Sequence, residues 1–164
     1  MDKCAEISNI IRFIRKQKNI TTQEIADFLQ INQGSYTLKE NNKSPISMTE
    51  FIDICNFLGI ELNMSYELNN QVNIIANDYK ELVQVIVLLR KDKEITKDKF
   101  RFMLDMSLPN YLNKENLKSK KPFYLSEIIK ISEILGINIS IKYTSIYICE
   151  NKKEMRETRE LKIV

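Results

Sequence analysis

The sequence predicts a mainly α-helical protein with short β strands, an α+β fold in which two tandem four-helix units are each followed by a strand or hairpin. Three observations predict it. Apolar residues recur at helical spacing along most of the chain, the period changes to two after Gly59 and Gly136, and the second half of the chain resembles the first. We place the first unit at residues 1–76 and the second at residues 77–164.

The similarity between the two halves extends well beyond one motif. "FIRKQKNI" from Phe13 corresponds to "LLRKDKEI" from Leu88, and "EFIDICNFLGI" from Glu50 corresponds to "EIIKISEILGI" from Glu127. With one two-residue insertion near Lys120, about 21 of about 60 aligned pairs are identical, which is the signature of an internal repeat. We interpret the chain as one unit used twice.

Each unit is predicted to contain four helices. In the first unit they cover residues 5–17, 22–29, 33–41 and 47–58, with a bend at 30–32 and a polar loop before the fourth. Gly59 can close the fourth helix in a left-handed cap. The second unit begins with a helix at 80–91 and repeats this order, with Gly136 as the cap.

Each helical part is predicted to end in a β strand. "IELNMSYEL" from Ile60 and "INISIKY" from Ile137 alternate apolar and polar residues, and Asn69-Asn70 suits a two-residue hairpin turn. Because unpaired strands bury little, we expect them to pair across the units or with a second molecule, as a homodimer. The residues from Lys152 onward are compatible with helix, strand or a frayed tail.

Composition favours binding over catalysis. The chain has no histidine and three glycines, and Cys4, Cys55 and Cys149 form no CxxC pair. We therefore expect no enzyme activity, no cofactor and no metal site. No segment approaches the roughly 18 consecutive apolar residues of a membrane span, and the N-terminus lacks a signal peptide's apolar core. A cytoplasmic protein with no membrane partner is expected.

The stretch "ITTQEIADFLQINQGSYTLKEN" at residues 20–41 resembles the phage-repressor-like helix-turn-helix family, the Cro-like or XRE group. The family's apolar and small positions are matched in order by Ile25, Ala26, Leu29, Ile31 and Tyr36. The small residue is required because two helices cross there at a sharp angle. The resemblance covers residues 7–60 and, more weakly, 82–137. It departs at Gln30, often glycine in the family, and at Lys39, usually a core residue.

The resemblance implies that double-stranded DNA is the partner and that the second helix of the motif enters the major groove. Candidate contact residues on and after this helix are Asn32, Gln33, Ser35, Thr37 and Asn41. Gln33 is the first choice for a base contact, because an amide can bond the adenine edge in two places. Thr22 and Gln23, at the start of the preceding helix, are suited to contact phosphate, because a helix N-terminus favours an anion. Lys39 and Lys43 would add charge contacts to the DNA backbone.

The second unit departs further from the family. Arg101 stands where the first unit has Ala26, so either the two helices are splayed or the arginine escapes sideways. Asn110 and Asn113 are candidate DNA contacts on the equivalent face. Other residues of the second unit fit a contact with a protein better than a contact with DNA. They are Arg101, Leu108, Pro109 and Leu112.

Charge is distributed unevenly. Residues 1–75 carry 7 Lys+Arg against 9 Asp+Glu, a net charge of −2, and residues 76–164 carry 18 against 13, a net charge of +5. The densest basic region surrounds the second motif and consists of Lys97, Lys99, Lys114, Lys118, Lys120 and Lys121. Such a region either supplies the salt-sensitive part of DNA affinity or is a solubilising face.

The favoured hypothesis is a sequence-specific DNA-binding transcriptional regulator, a repressor of phage or mobile-element type. Its first unit would read bases, and its second would clamp phosphates or mediate assembly. The alternative is a phage-type inhibitor or adaptor that uses the same scaffold to bind a protein target, such as a bacterial defence nuclease of the CRISPR type.

Overall fold

A computed structural model describes residues 2–148 and 154–164. In the N-terminal half the elements are α1 (Lys3–Gln17), α2 (Thr22–Phe28), α3 (Gln33–Glu40), α4 (Met48–Leu58), β1 (Glu61–Leu68) and β2 (Gln71–Ile75). In the C-terminal half they are α5 (Tyr79–Asp92), α6 (Lys97–Met103), α7 (Leu108–Glu115), α8 (Leu125–Leu135), β3 (Ile137–Ile148) and β4 (Glu154–Lys162). The predicted α+β fold class is confirmed.

Local capping residues explain where the helices begin and end. Thr21 caps α2 and Ser47 caps α4, each in a capping box with a glutamate three residues on. Gly59 and Gly136 end α4 and α8 with φ of 63° and 78°, the left-handed caps that the sequence predicts. In the described parts of the chain no helix is long and apolar enough to cross a bilayer.

The four strands form one antiparallel sheet in the order β2-β1-β3-β4. Asn69 and Asn70 both have positive φ, 52° and 59°, so the predicted two-residue turn joins β1 to β2. The expected pairing of strands across the halves is confirmed by β1 and β3. Of the alternatives for the last residues, the chain from Glu154 forms a strand, whereas Lys152 and Lys153 lie outside the described residues.

The two halves meet about an approximate local two-fold axis. In the sheet, Asn63 lies opposite Ser140, and these residues are equivalent in the internal alignment. In the helical layer, Ser47 forms a bridge with its equivalent Tyr124, flanked by bonds from Met48 N to Phe123 O and from Leu125 N to Ile46 O, both of 2.8 Å. Each antiparallel pairing of equivalent residues has a local two-fold axis at that point.

The core lies between the helices and one face of the sheet. Leu62 and Met64 on β1 and Ile139 and Ile141 on β3 point into it, and their sequence neighbours point outward. The tyrosines at equivalent positions of α3 and α7, Tyr36 and Tyr111, are fully buried. The burial of Tyr36 agrees with the apolar position that the sequence pattern assigns to it.

Candidate nucleic-acid interface

Helices α2 and α3 form the motif that the sequence singled out. The chain turns between them at Gln30, which has a φ of 56°, so glutamine adopts the left-handed conformation that glycine often supplies. Ala26 and Ile25 are fully buried beneath the crossing. The departure at Gln30 therefore leaves the geometry of the motif intact.

The first turn of α3 presents ordered amide groups to solvent. Asn32 caps the helix, and its Oδ1 accepts a bond from Ser35 N at 2.7 Å. Gln33 is exposed, and its Nε2 donates to Thr22 Oγ1 at 2.9 Å, which links the first turns of α3 and α2. Gln33 Oε1 has no partner within the described parts of the chain. One side of the Gln33 amide is thus held while the other is available to a ligand.

The remaining candidates on α3 are engaged to different extents. Thr37 donates to Gln33 O at 2.8 Å and is half-buried, so it has little freedom to contact a base. Asn41 is exposed, donates to Thr37 O at 2.8 Å and accepts a bond from Arg12 Nη2 at 2.6 Å. Arg12 was not a sequence candidate, although as a cation within the apolar pattern of α1 it could have been proposed; its side chain is half-buried. It brings a positive charge to the C-terminal end of α3.

A buried ion pair attaches α3 to α1. Arg15 donates to both carboxylate oxygens of Glu40, at 2.6 and 3.0 Å, and to Ile20 O at 2.8 Å. Tyr36 donates to Glu40 Oε1 at 3.1 Å. Burial, together with the adjacent Glu40 carboxylate, raises the pKa of the Tyr36 phenol well above its usual value, and the bond to Glu40 raises the pKa of Arg15. This network fixes the orientation of α3 on the domain.

The charges around α2 are mixed. Gln23 is exposed and donates to Asp27 Oδ1 at 2.6 Å. Glu24 accepts bonds from the backbone N–H and the hydroxyl of Thr21, and these bonds lower the pKa of Glu24. An anion approaching α2 therefore meets the exposed carboxylates Glu24 and Asp27 as well as the helix N-terminus. Of the two lysines predicted for this half of the chain, Lys43 is exposed and has no ion pair among the described residues.

Two lysines predicted to contact phosphate require correction. Lys39 is half-buried, with its Nζ 3.0 Å from Glu50 Oε2 and 2.8 Å from Pro45 O. Lys114 is 3% exposed, and its Nζ is 2.6 Å from Glu127 Oε2. Both lysines neutralise the carboxylate that caps the following helix, so their charge is used inside the protein. Lys114 is too buried for the DNA contact that was predicted, and the charge of Lys39 is already neutralised by Glu50.

The other lysines of the basic region are at the surface. Lys99, Lys118, Lys120 and Lys121 are exposed and form no ion pair among the described residues. Lys97 is exposed too, with its Nζ 3.6 Å from Glu115 Oε1. Lys120 and Lys121 immediately precede the Phe123–Leu125 segment that crosses the local two-fold axis. A positively charged surface therefore adjoins the axis.

The α6–α7 pair differs in surface from the α2–α3 pair. Arg101 occupies the position equivalent to Ala26, and its side chain points away from the helix crossing, which is one of the two alternatives given above. It pairs with Asp98 at 2.8 Å, and its guanidinium lies 4.8 Å from the centre of the Phe102 ring. Asn110 and Asn113 are exposed, as are Leu108 and Pro109. Leu112 is partly buried against the core, so it offers less surface to a partner than Leu108 does.

Sequence reasoning missed the most exposed aromatic residue of this surface. Phe102 is 71% exposed, and Met103 beside it is also exposed. The position of Phe102 in the helical pattern could have indicated its exposure. Phe100 and Leu104 are buried, and Phe102 lies on the opposite side of α6.

Residues 9–74 match the model of a helix-turn-helix domain family. Comparison with curated proteins and with solved structures gave no match. The match spans α2, α3 and the elements packed on them, and it indicates a DNA-binding regulator in general.

Proposed function

We propose that the protein is a sequence-specific transcriptional repressor of phage or mobile-element type that binds double-stranded DNA through α3. The observation that carries this proposal is the exposed amide of Gln33, held by Thr22 at the first turn of α3 with its Oε1 free. A side chain held in this way loses less conformational freedom when it pairs with a base. Thr22, Gln23, Asn32, Ser35, Asn41 and Lys43 complete the proposed contact surface.

The C-terminal half would act on the same DNA by clamping phosphates. The local two-fold axis relates α3 to α7, as the axis of a dimeric repressor relates its two recognition helices. We therefore infer a tandem duplication in which one chain replaces a dimer. Lys97, Lys118, Lys120 and Lys121, with Asn110 and Asn113, would supply the second contact without reading sequence.

The sheet supports a further assembly step. β2 is an edge strand without charged residues, and Val72 and Ile74 on it are 75% and 82% exposed. Charge and proline are the usual protection of an edge against pairing with another molecule. We propose β2 as the site of a homodimer, and no catalytic role is part of the proposal.

The test is a fluorescence-anisotropy titration of the protein against its own upstream DNA and a scrambled duplex, at two salt concentrations. Gln33→Ala is expected to remove most of the preference for the upstream duplex, since one good bidentate contact contributes about 1–3 kcal/mol of discrimination. Lys118/Lys120/Lys121→Ala is expected to flatten the salt slope by about 0.9 for each phosphate that is no longer neutralised.

The control is Lys16/Lys80/Lys130→Ala, which removes the same charge from exposed positions outside the proposed surface. It should leave the preference intact and change the slope little. Equal, weak binding of the wild type to both duplexes would refute the repressor.

A second candidate function is an inhibitor or adaptor that binds a protein target, such as a defence nuclease of the CRISPR type. It is favoured by the apolar character of α6 and α7, where Phe102 and Leu108 are exposed. These apolar side chains offer neither a positive charge nor a hydrogen-bond donor to a phosphate. The C-terminal half would then bind a protein while α3 retains DNA binding.

A further inference from the structure

The two halves of the chain differ at the start of their first helices. In the internal alignment, Cys4 on α1 corresponds to Tyr79 on α5. Ile46, before α4, corresponds to Phe123, before α8. The Tyr79 hydroxyl accepts a hydrogen bond of 2.9 Å from Phe123 N. Ile46 is buried too, but its N–H has no partner among the described residues, because the Cys4 side chain is too short to provide one.

This difference leaves a cavity in the N-terminal half. The cavity has a volume of about 300 Å³, and both Cys4 and Ile46 line it. The corresponding hollow of the C-terminal half, of about 260 Å³, is lined by Tyr79 but not by Phe123. The tyrosine side chain therefore covers the Phe123 backbone, whereas the Ile46 backbone stays open to the cavity.

Ser8 adds a second unpaired polar group. It lies one helical turn after Cys4 on α1 and lines the cavity. Ser8 is 3% exposed, and its hydroxyl forms no hydrogen bond within the parts of the chain that the structure describes. The equivalent residue of the C-terminal half is Val83, which is buried and needs no partner. Because buried polar groups are normally paired, the Ser8 hydroxyl and the Ile46 N–H indicate an occupant of the cavity.

The charges around the cavity favour a neutral occupant. Asp2 and Lys43 both line it, and the other lining residues carry no charge, so the wall has no net charge. The Asp2 carboxylate also accepts a hydrogen bond of 3.0 Å from Asn42 Nδ2. Burial, together with the Asp2 carboxylate, raises the pKa of the Cys4 thiol, so the thiol stays protonated. A phenolate or a carboxylate would therefore gain little attraction here.

We propose that this cavity binds a small neutral phenol. The phenolic oxygen accepts a hydrogen bond from Ile46 N, as the Tyr79 oxygen does from its own partner, and the phenolic proton is donated to Ser8 Oγ. The ring packs on the apolar surface of Pro45 and Leu125. Because Leu125 belongs to α8, the bound phenol contacts both halves of the chain. The inference goes beyond the repressor proposed above and does not depend on DNA binding.

The test is an NMR titration of the full chain with p-cresol, monitored in ¹⁵N–¹H correlation spectra. This compound is the side chain of tyrosine without its backbone. Toluene is the matched ligand, because it has the same ring and methyl group but no hydroxyl. We expect p-cresol to shift the amide resonance of Ile46 and to bind about two- to tenfold more tightly than toluene, which is the net effect of a hydrogen bond.

Two variants introduce residues that the C-terminal half has at equivalent positions, so the fold should accept them. Cys4→Tyr fills the cavity and should weaken p-cresol binding at least about tenfold, one order of magnitude in Kd. Ser8→Val should weaken p-cresol binding about two- to tenfold and leave toluene binding unchanged. Cys4→Ala is the control, because it removes the thiol but keeps the cavity open, and it should bind p-cresol as the wild type does.

Three results would overturn the inference. Absence of a shift at Ile46 would mean that water alone fills the cavity. Equal binding of toluene would remove the role of the hydroxyl, and undiminished p-cresol binding by folded Cys4→Tyr would place the site elsewhere. If Cys4→Tyr gives no folded spectrum, the wild-type comparison of p-cresol with toluene and the Ser8→Val variant decide the question.

Discussion

Replacing Arg15 with methionine tests how α3 is held on the domain. The side chains of Arg15 and Glu40 are 10% and 4% exposed and share two hydrogen bonds, and a third bond joins Arg15 to Ile20 O. Methionine fills similar space but leaves the buried Glu40 carboxylate with only the Tyr36 hydroxyl at 3.1 Å and the more distant Arg12 Nε at 3.8 Å. Removing one partner of a buried pair costs about 3–5 kcal/mol.

Urea unfolding monitored by circular dichroism measures this decrease in stability. With a slope of about 2 kcal/mol per molar urea, the midpoint should fall by about 1.5–2.5 M. The double variant Arg15→Met/Glu40→Leu should recover most of the stability, because it also removes the buried carboxylate that has lost its main partner.

The equivalent pair in the C-terminal half is the matched comparison. Arg90 and Glu115 share one bond of 2.9 Å, and Arg90 Nε, Glu115 Oε2 and Tyr111 OH have no partner among the described residues. Arg90→Met should therefore cost less than Arg15→Met, about 1–3 kcal/mol. A cost of under about 1 kcal/mol for Arg15→Met, or further destabilisation when Glu40→Leu is added, would contradict this role of the buried ion pair.

Three further predictions follow from particular contacts. Gly59→Ala should lower the free energy of unfolding, measured in urea, by about 1–2 kcal/mol, because φ at this cap is +63°. The new Cβ would meet only the flexible end of Lys18, so the backbone conformation is the main cost. An unchanged urea midpoint would contradict this role of Gly59. In an ultraviolet titration, Tyr36, Tyr79 and Tyr111 should ionise above the usual pKa of about 10, since burial raises the pKa of each. Because the folded state then keeps protons that the unfolded state loses, stability should fall as pH rises above about 10, and Tyr36→Phe should reduce that dependence. Lys114→Met should lower the free energy of unfolding without changing DNA affinity. Lys118→Ala should weaken DNA binding without changing stability. An equal loss of DNA affinity in both variants would show that Lys114 does contact DNA.

The helices and turns could be predicted because their signals are local. Thr21 and Ser47 cap helices within three residues of themselves, and Asn69-Asn70 forms its turn within the hairpin. Gly59 and Gly136 end helices for the same reason. Each of these features depends on residues adjacent in the chain, so the sequence pattern was sufficient.

The roles of the lysines could not be predicted in the same way. Lys114 and Lys118 look alike in the sequence, yet Lys114 pairs with Glu127 and Lys118 stays exposed. The position of Glu127 relative to Lys114 depends on the path of the loop between α7 and α8. The exposure of Phe102, by contrast, could have been predicted, because Phe102 lies opposite Phe100 and Leu104 in the helical pattern.

The sequence by itself determined the types and order of the elements, the glycine caps, and the region of α2 and α3 that matches a helix-turn-helix domain. Only the tertiary structure decided that β1 pairs with β3, that Ser47 meets Tyr124, and which charges remain at the surface. The physical reason is the distance along the chain over which each interaction acts. Periodicity and capping act over a few residues, whereas strand neighbours and ion-pair partners depend on segments that meet only when the whole core packs.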